Sequence, residues 1–233
     1  VNIVYTYCQI DKLKPISDIT MKLATLAVGS MKKHTKNNTI LYTDCREDFE
    51  HLPFDDIIDV DFFDWNWDRR YWNIPKLKTY TLQRKPFLHV DLDIFVMPTF
   101  KVDDGFDLYS ENIRMLEKTQ APYKHYPKEL SNGCVMCSGI LGGATDKAYR
   151  MFDLMYEKAQ QECVEDLSQE VVFDDLYSLE ENWSYHYALD NDLSIQQMKI
   201  GTFLHFAGFD KEIRFGRTVS DILILYDLEK YLR

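Results

Sequence analysis

The chain has 233 residues, 45% of them hydrophobic and 28% charged, which is enough apolar material for a substantial core and argues against a disordered chain. Its formal net charge is −11 with no basic run to offset it, which excludes nucleic acid as the main partner. There is no run of roughly eighteen apolar residues, so no transmembrane helix is expected, and Val1–Tyr7 lacks the basic start and cleavage site of a signal peptide.

In chain order, Ile3–Tyr7 predicts a first buried strand and Ile19–Lys33 a helix, with Ile19, Leu23, Leu26, Ala27 and Ser30 at helical spacing. Asn37-Asn38 breaks that helix, Thr39–Thr43 predicts a second strand ending at Asp44, and Ile57–Val60 a short third. This opening is that of an α/β sheet with ligands at the carboxyl ends of its strands. Residues 61–72 form an aromatic and charged loop, where Trp65, Trp67, Tyr71 and Trp72 either stack on a sugar or pack under the sheet edge. Ile74–Gln83 predicts a helix carrying Lys76, and Tyr109–Arg114 a strand. Lys118–Ser131, with Pro122 and Pro127, reads as an active-site loop.

Further on, Cys134–Leu141 predicts one strand ending in Gly142-Gly143, where backbone comes close to a neighbour. Asp146–Val164 is an amphipathic helix, Asp166–Leu179 another, Ile195–Phe206 a late strand or two, and Ile222–Tyr231 a terminal helix. The cysteines are odd in number (Cys8, Cys45, Cys134, Cys137, Cys163), and Cys134 and Cys137 form a lone CxxC without the second pair a zinc site needs. Reduced structural thiols and a cytoplasmic location are the expectation. No linker or repeat divides the chain, so one domain spans residues 1–233.

The most informative stretch is Lys85–Pro98. Leu88, Val90, Leu92, Ile94 and Val96 alternate, the pattern of one continuous buried strand running through Asp91 and Asp93. A period of two puts both carboxylates on the same side of that strand. Two such acids either face water at a strand end or, amid apolar neighbours, repel each other at a cost that a divalent cation removes; oxygen donors suit Mn²⁺ or Mg²⁺. In Leu204–Lys211, His205 offers a third ligand, Gly208 close backbone approach to a phosphate, and Lys211 a point charge for it.

An Asp-x-Asp after an apolar strand, followed late by His-x-x-Gly-x-x-Lys, resembles the pattern of GT-A-fold glycosyltransferases. The late motif is most similar to that of glycosyltransferase family 8, and Trp72–Phe100 also resembles small bacterial and viral surface-glycan sugar transferases. The resemblance implies a GT-A-like, Rossmann-like α/β fold with a mixed, mostly parallel central sheet flanked by helices. It implies a nucleotide-binding half over about residues 1–100 and an acceptor and sugar half over about 101–233. Asp91, Asp93 and His205 would hold Mn²⁺ (or Mg²⁺), with Gly208 and Lys211 on the donor diphosphate. Tyr5, Thr6 and Tyr7 at the first strand's end would face the nucleotide, with Lys76, Asp91 and Leu92 beside the donor. Ser168-Gln169-Glu170 stands where the family carries Asp-Gln-Asp near the reacting sugar. Gln169 or Glu170 would contact the donor sugar, or a carboxylate among Glu170, Asp174 and Asp175 would be the base of an inverting reaction. Asn132, Ser138, Gly139 and Gly142 are candidates to line the sugar pocket.

The implied activity is transfer from a nucleotide-diphosphate sugar, a UDP-sugar first, to a glycan, glycolipid or protein acceptor. Peripheral contact with a membrane is compatible with it. Two rivals share the residues. A haloacid-dehalogenase-like phosphohydrolase also ends a strand in Asp-x-Asp and uses a Lys and a later acidic pair, here Asp174-Asp175. A non-catalytic glycan-binding module on the same fold would account for the aromatics.

Overall fold

The computed structural model describes residues 1–9, 12–62, 73–115, 134–165 and 179–205. β1 (Asn2–Tyr7) leads to α1 (Asp18–His34), β2 (Thr39–Thr43), the single turn α2 (Arg46–Phe49) and β3 (Asp56–Asp59). Then come α3 (Ile74–Thr81), β4 (Phe87–Val90), β5 (Ile94–Val96), β6 (Leu108–Ser110) and β7 (Ile113–Met115). After β8 (Cys134–Met136) and β9 (Ile140–Gly143) follow α4 (Asp146–Glu165), a π-helical turn at Leu179–Trp183, α5 (Ser184–Asp190), β10 (Ile195–Gln197) and β11 (Phe203–His205).

Among the described residues, seven strands form one sheet in the order β10-β6-β9-β4-β1-β2-β3, in which β9 alone runs antiparallel to its neighbours. The expected mixed, mostly parallel sheet is therefore present. Alternation along each strand sorts side chains between two layers. Ile3, Tyr5, Leu88 and Val90 join α1 through Leu23, Leu26, Ala27 and Met31. Val4, Phe87 and Leu141 instead meet α3 and α4 through Leu77, Tyr80, Met151 and Phe152. Helix α1 is held at its start by Ser17, whose hydroxyl accepts from the Thr20 N–H, and its last turn carries Lys32, Lys33 and His34 against the dipole.

Three expected strands are each broken in two. The run through the two aspartates is not continuous: β4 ends at Val90, the Asp91 N–H makes a last bond to the Gly139 carbonyl, and the Ile94 N–H turns back to the Asp91 carbonyl at 3.1 Å. β5 then leaves the large sheet and pairs with β11. The apolar alternation survived because β5 is buried too, against α1, where the Ser30 hydroxyl accepts the Val96 N–H at 3.1 Å. Likewise Tyr109–Arg114 divides at Glu111-Asn112, and Cys134–Leu141 divides at Cys137–Gly139, because β7 and β8 form a separate two-stranded antiparallel sheet while β6 and β9 stay in the main sheet. Cys8, Cys45, Cys134 and Cys137 stand outside any disulfide. The expected loop at Lys118–Ser131, the terminal helix at Ile222–Tyr231 and all but the end of Asp166–Leu179 lie outside the described residues.

Candidate functional site

From β1 the chain moves outward to β2 and β3, then returns to the other side of β1 with β4. The order of parallel strands reverses between β1 and β4, and ligand crevices form at the carboxyl ends of strands at such a point. β1 and β4 pair from Asn2/Phe87 to Val4/His89. Just beyond, the Thr6 hydroxyl and His89 Nε2 are 2.9 Å apart across the opening.

Parity then places Asp91. Phe87, His89 and Asp91 are alternate residues, so Asp91 follows the first two to the α3 layer, where Lys76 waits one turn into its helix. Lys76 Nζ is 3.0 Å from Asp91 Oδ1 and 3.1 Å from Glu180 Oε1, and it donates to the Ser138 carbonyl at 2.6 Å. Those acceptors occupy the three donors of an ammonium group. Burial would lower the Lys76 pKa, but the charges of Asp91 and Glu180 raise it, so the ammonium is held charged. Tyr80 donates to Glu180 Oε1 at 2.7 Å from the next turn of α3. His89 beneath is kept neutral by burial and then by Lys76.

Asp93 reaches the same place by another route. It sits in the turn before β5, and the antiparallel register of β5 with β11 sets His205 opposite Ile94, its immediate neighbour. His205 Nε2 is 3.6 Å from Asp93 Oδ1. One ligand atom from each of Asp91, Asp93 and His205 fits within a 4.8 Å span. The two carboxylates thus converge through a turn and not through the pleat of one strand. Asp93 is buried, while the Asp91 and His205 side chains remain 28% and 20% exposed.

His205 has a further partner. Its Nδ1 lies 3.0 Å from Oε2 of Glu111, a buried carboxylate just past β6. Burial would lower the His205 pKa; the Glu111 hydrogen bond and charge, with Asp93 and Asp91, raise it instead. Burial drives Asp91 upward, with Asp93 and Glu180 adding to the rise and Lys76 opposing it. Four carboxylates therefore gather around one lysine and one imidazole, a surplus of negative charge that a dication would balance. Two carboxylates and an imidazole form a donor set that fits Mn²⁺ and related dications.

Among the other expected site residues, Tyr5 is buried in the α1 layer with its ring edge-on to Phe54 at 5.6 Å, and its hydroxyl has no hydrogen-bond partner among the described residues. Tyr7 is half-buried against Phe49, its hydroxyl pKa pushed up to about 12 by burial and then by Cys45 and Asp44. Leu92 packs on the α1-side core. Ser138 is buried, with its N–H and hydroxyl toward Glu181 Oε1 at 3.3 and 3.4 Å. Gly139 makes room for His205 and Glu111, and Gly142 for the Phe87 backbone. Gln169, Glu170, Asp174, Asp175, Gly208, Lys211, Asn132, Trp65, Trp67, Tyr71 and Trp72 lie outside the described residues.

Sequence reasoning missed Glu111 and Glu180. Glu111 carried a signal, since Leu108-Tyr109-Ser110-Glu111 repeats the pattern of Leu88-His89-Val90-Asp91, an acid one residue past a buried strand. Glu180 carried none: adjacent acids in a polar stretch read as solvated surface, yet the π-helical turn buries Glu180, Glu181 and Asn182 together. π-turns of this kind recur at functional sites.

The sequence profile of a family of unknown function (DUF6734) matches residues 23–161, more than half of the chain, and the chain belongs to that family. No curated protein matches it.

Proposed function

We propose that this member of the family is a metal-dependent glycosyltransferase with a single GT-A-like domain. It would move a sugar from a nucleotide-diphosphate donor, a UDP-sugar first, to a glycan, glycolipid or protein acceptor at the cytoplasmic side. The observation that carries the reading is the convergence of Asp91, Asp93 and His205 at the carboxyl end of β4, beside the point where the order of parallel strands reverses. A nucleotide crevice and a divalent-cation site would then be the same place.

A bound Mn²⁺ or Mg²⁺ would neutralise charge on the departing diphosphate. Asp91, Asp93 and His205 are the residues that would hold it. Lys76, expected beside the donor, ties Asp91 to Glu180 and to the β8–β9 turn, and so would fix the first ligand. Thr6 and His89 close the floor between β1 and β4. Gly208 and Lys211 follow β11 directly in sequence and are the candidates for the diphosphate. Gln169, Glu170 and Asp174 are the candidates for the reacting sugar, and in sequence they precede Glu180, the carboxylate bonded to Lys76.

Calorimetric titration with UDP, UDP-glucose, UDP-galactose and GDP-mannose, with and without Mn²⁺, tests the proposal. Binding of one nucleotide series only with metal is expected. Absence of nucleotide binding under both conditions overturns it, and release of phosphate from a simple phosphate ester would favour the phosphohydrolase instead.

A further inference from the structure

An imidazole has two nitrogens, and a neutral ring carries its proton on one of them, so a histidine ligand must be told which nitrogen to present. Glu111 is placed to do that. Its own N–H bonds the Ile140 carbonyl at 2.7 Å, and the preceding Ser110 is paired with Leu141 in the sheet. The carboxylate therefore stands on rigid backbone. With Nδ1 donating to that carboxylate, a neutral ring would present its Nε2 lone pair toward Asp93 and Asp91. Residue 139 shares the arrangement: a Cβ there would overlap both the His205 ring and the Glu111 carboxylate. Glycine at that position leaves the two side chains room to meet.

We infer that Glu111 is a positioning residue for the Asp91, Asp93 and His205 cation site, acting through the imidazole by fixing its tautomer and orientation. Partners of this kind behind a ligating histidine are worth about 10–100-fold in metal affinity. The inference rests on the cation-binding part of the proposed function and not on sugar transfer.

The test is Mn²⁺ titration of the full chain, read from the paramagnetic resonance signal of free Mn²⁺, with circular dichroism to confirm folding. Glu111→Ala is expected to weaken Mn²⁺ binding by about 10–100-fold, and Glu111→Gln, which keeps an acceptor oxygen, to recover part of the loss. In a His205→Ala background, Glu111→Ala is expected to change nothing further, because the ring it acts through is gone. Unchanged affinity in folded Glu111→Ala overturns the inference. So does an equal loss with and without His205, which would make Glu111 a source of local charge only. Should Glu111→Ala fail to fold, the Glu111→Gln comparison with and without His205 decides in the same way. A wild-type chain that binds no Mn²⁺ overturns both this and the cation site. One that binds Mn²⁺ with the Glu111 dependence but no nucleotide upholds the inference and sinks the transferase.

Discussion

Glu111 and His205 are 94 residues apart in sequence, yet Oε2 of one lies 3.0 Å from Nδ1 of the other. Two glycines of the neighbouring chain segment do different work. At Gly139 an added methyl would meet only side chains, the His205 ring and the Glu111 carboxylate, whereas at Gly142 it would meet the Phe87 carbonyl and the Leu88 Cα, which belong to β4 itself.

The two alanine substitutions should therefore part company. Gly139→Ala is expected to fold, because the side chains can swing aside, but to lose most Mn²⁺ affinity as His205 leaves its position. Gly142→Ala is expected to disrupt the pairing of β4 with β9 and to lose several kcal/mol of stability, the ordinary result of overpacking against backbone. Denaturant unfolding and Mn²⁺ titration of each variant separate the cases. A Gly139→Ala protein that binds Mn²⁺ like the wild type would contradict the role given to that position.

Lys76, itself buried, pairs with two carboxylates, of which Glu180 is fully buried. Removing it leaves Asp91 and Glu180 without their shared cation, so Lys76→Met is expected to cost about 3–5 kcal/mol in urea unfolding. Glu180→Gln is expected to cost less, since the amide oxygen can still accept from Lys76 and Tyr80 while Asp91 keeps the lysine. Combining Lys76→Met with Glu180→Leu should recover part of the first loss. Equal costs for the two single variants would show that Lys76 is not the centre of the network.

Much of this arrangement was legible in the sequence because burial leaves a periodic trace. The apolar runs at Ile3–Tyr7 and Thr39–Thr43 and the helical spacing from Ile19 became β1, β2 and α1. The same trace misled at Leu88–Val96, where alternation continues across a turn because β4 and β5 are both buried, though in different sheets. Asp91, Asp93 and His205 stood out as acids and an imidazole beside apolar runs, and the structure brings them together. Glu180 had no such trace. Its burial is decided by Lys76 and Tyr80, about a hundred residues earlier in the chain, and by a π-turn that no local spacing announces.

Asp107 offers a pH test away from the site. Its carboxylate accepts from the Ser194 N–H at 3.0 Å, the Ser194 hydroxyl at 2.8 Å and the Thr145 hydroxyl at 2.8 Å, linking the strand entries of β6 and β10 to the start of α4. The Ser194 backbone bond is the chief cause of a lowered pKa, with the hydroxyls adding to it against a smaller effect of burial. A carboxylate depressed in the folded state contributes stability above its unfolded value of about 3.9, and that contribution is lost as pH falls through the folded value. Asp107→Asn imitates the protonated form. It is expected to cost about 1 kcal/mol at neutral pH, allowing for solvent screening at a partly exposed group. The difference from wild type should close below pH ~4. A gap that stays constant down to pH ~3 would assign the effect to packing and not to charge.

The cation site makes a prediction about stability as well as binding. A ligand that binds only the folded chain at a hundredfold excess over its dissociation constant stabilises it by about 2.7 kcal/mol. For a chain of this length that corresponds to roughly 5–10 °C in melting temperature. Mn²⁺ should therefore raise the wild-type melting temperature, and EDTA should reverse the rise. Asp93→Ala and His205→Ala are both expected to fold, since Asp93 lies in a turn and His205 at the end of an outer strand, and to show little or no shift. Asp107→Asn, far from the donors, is the control: it should melt lower than wild type yet gain the full increment from Mn²⁺. A full Mn²⁺ shift in either ligand variant would remove that residue from the site, and a full shift in both would place the cation elsewhere on the chain.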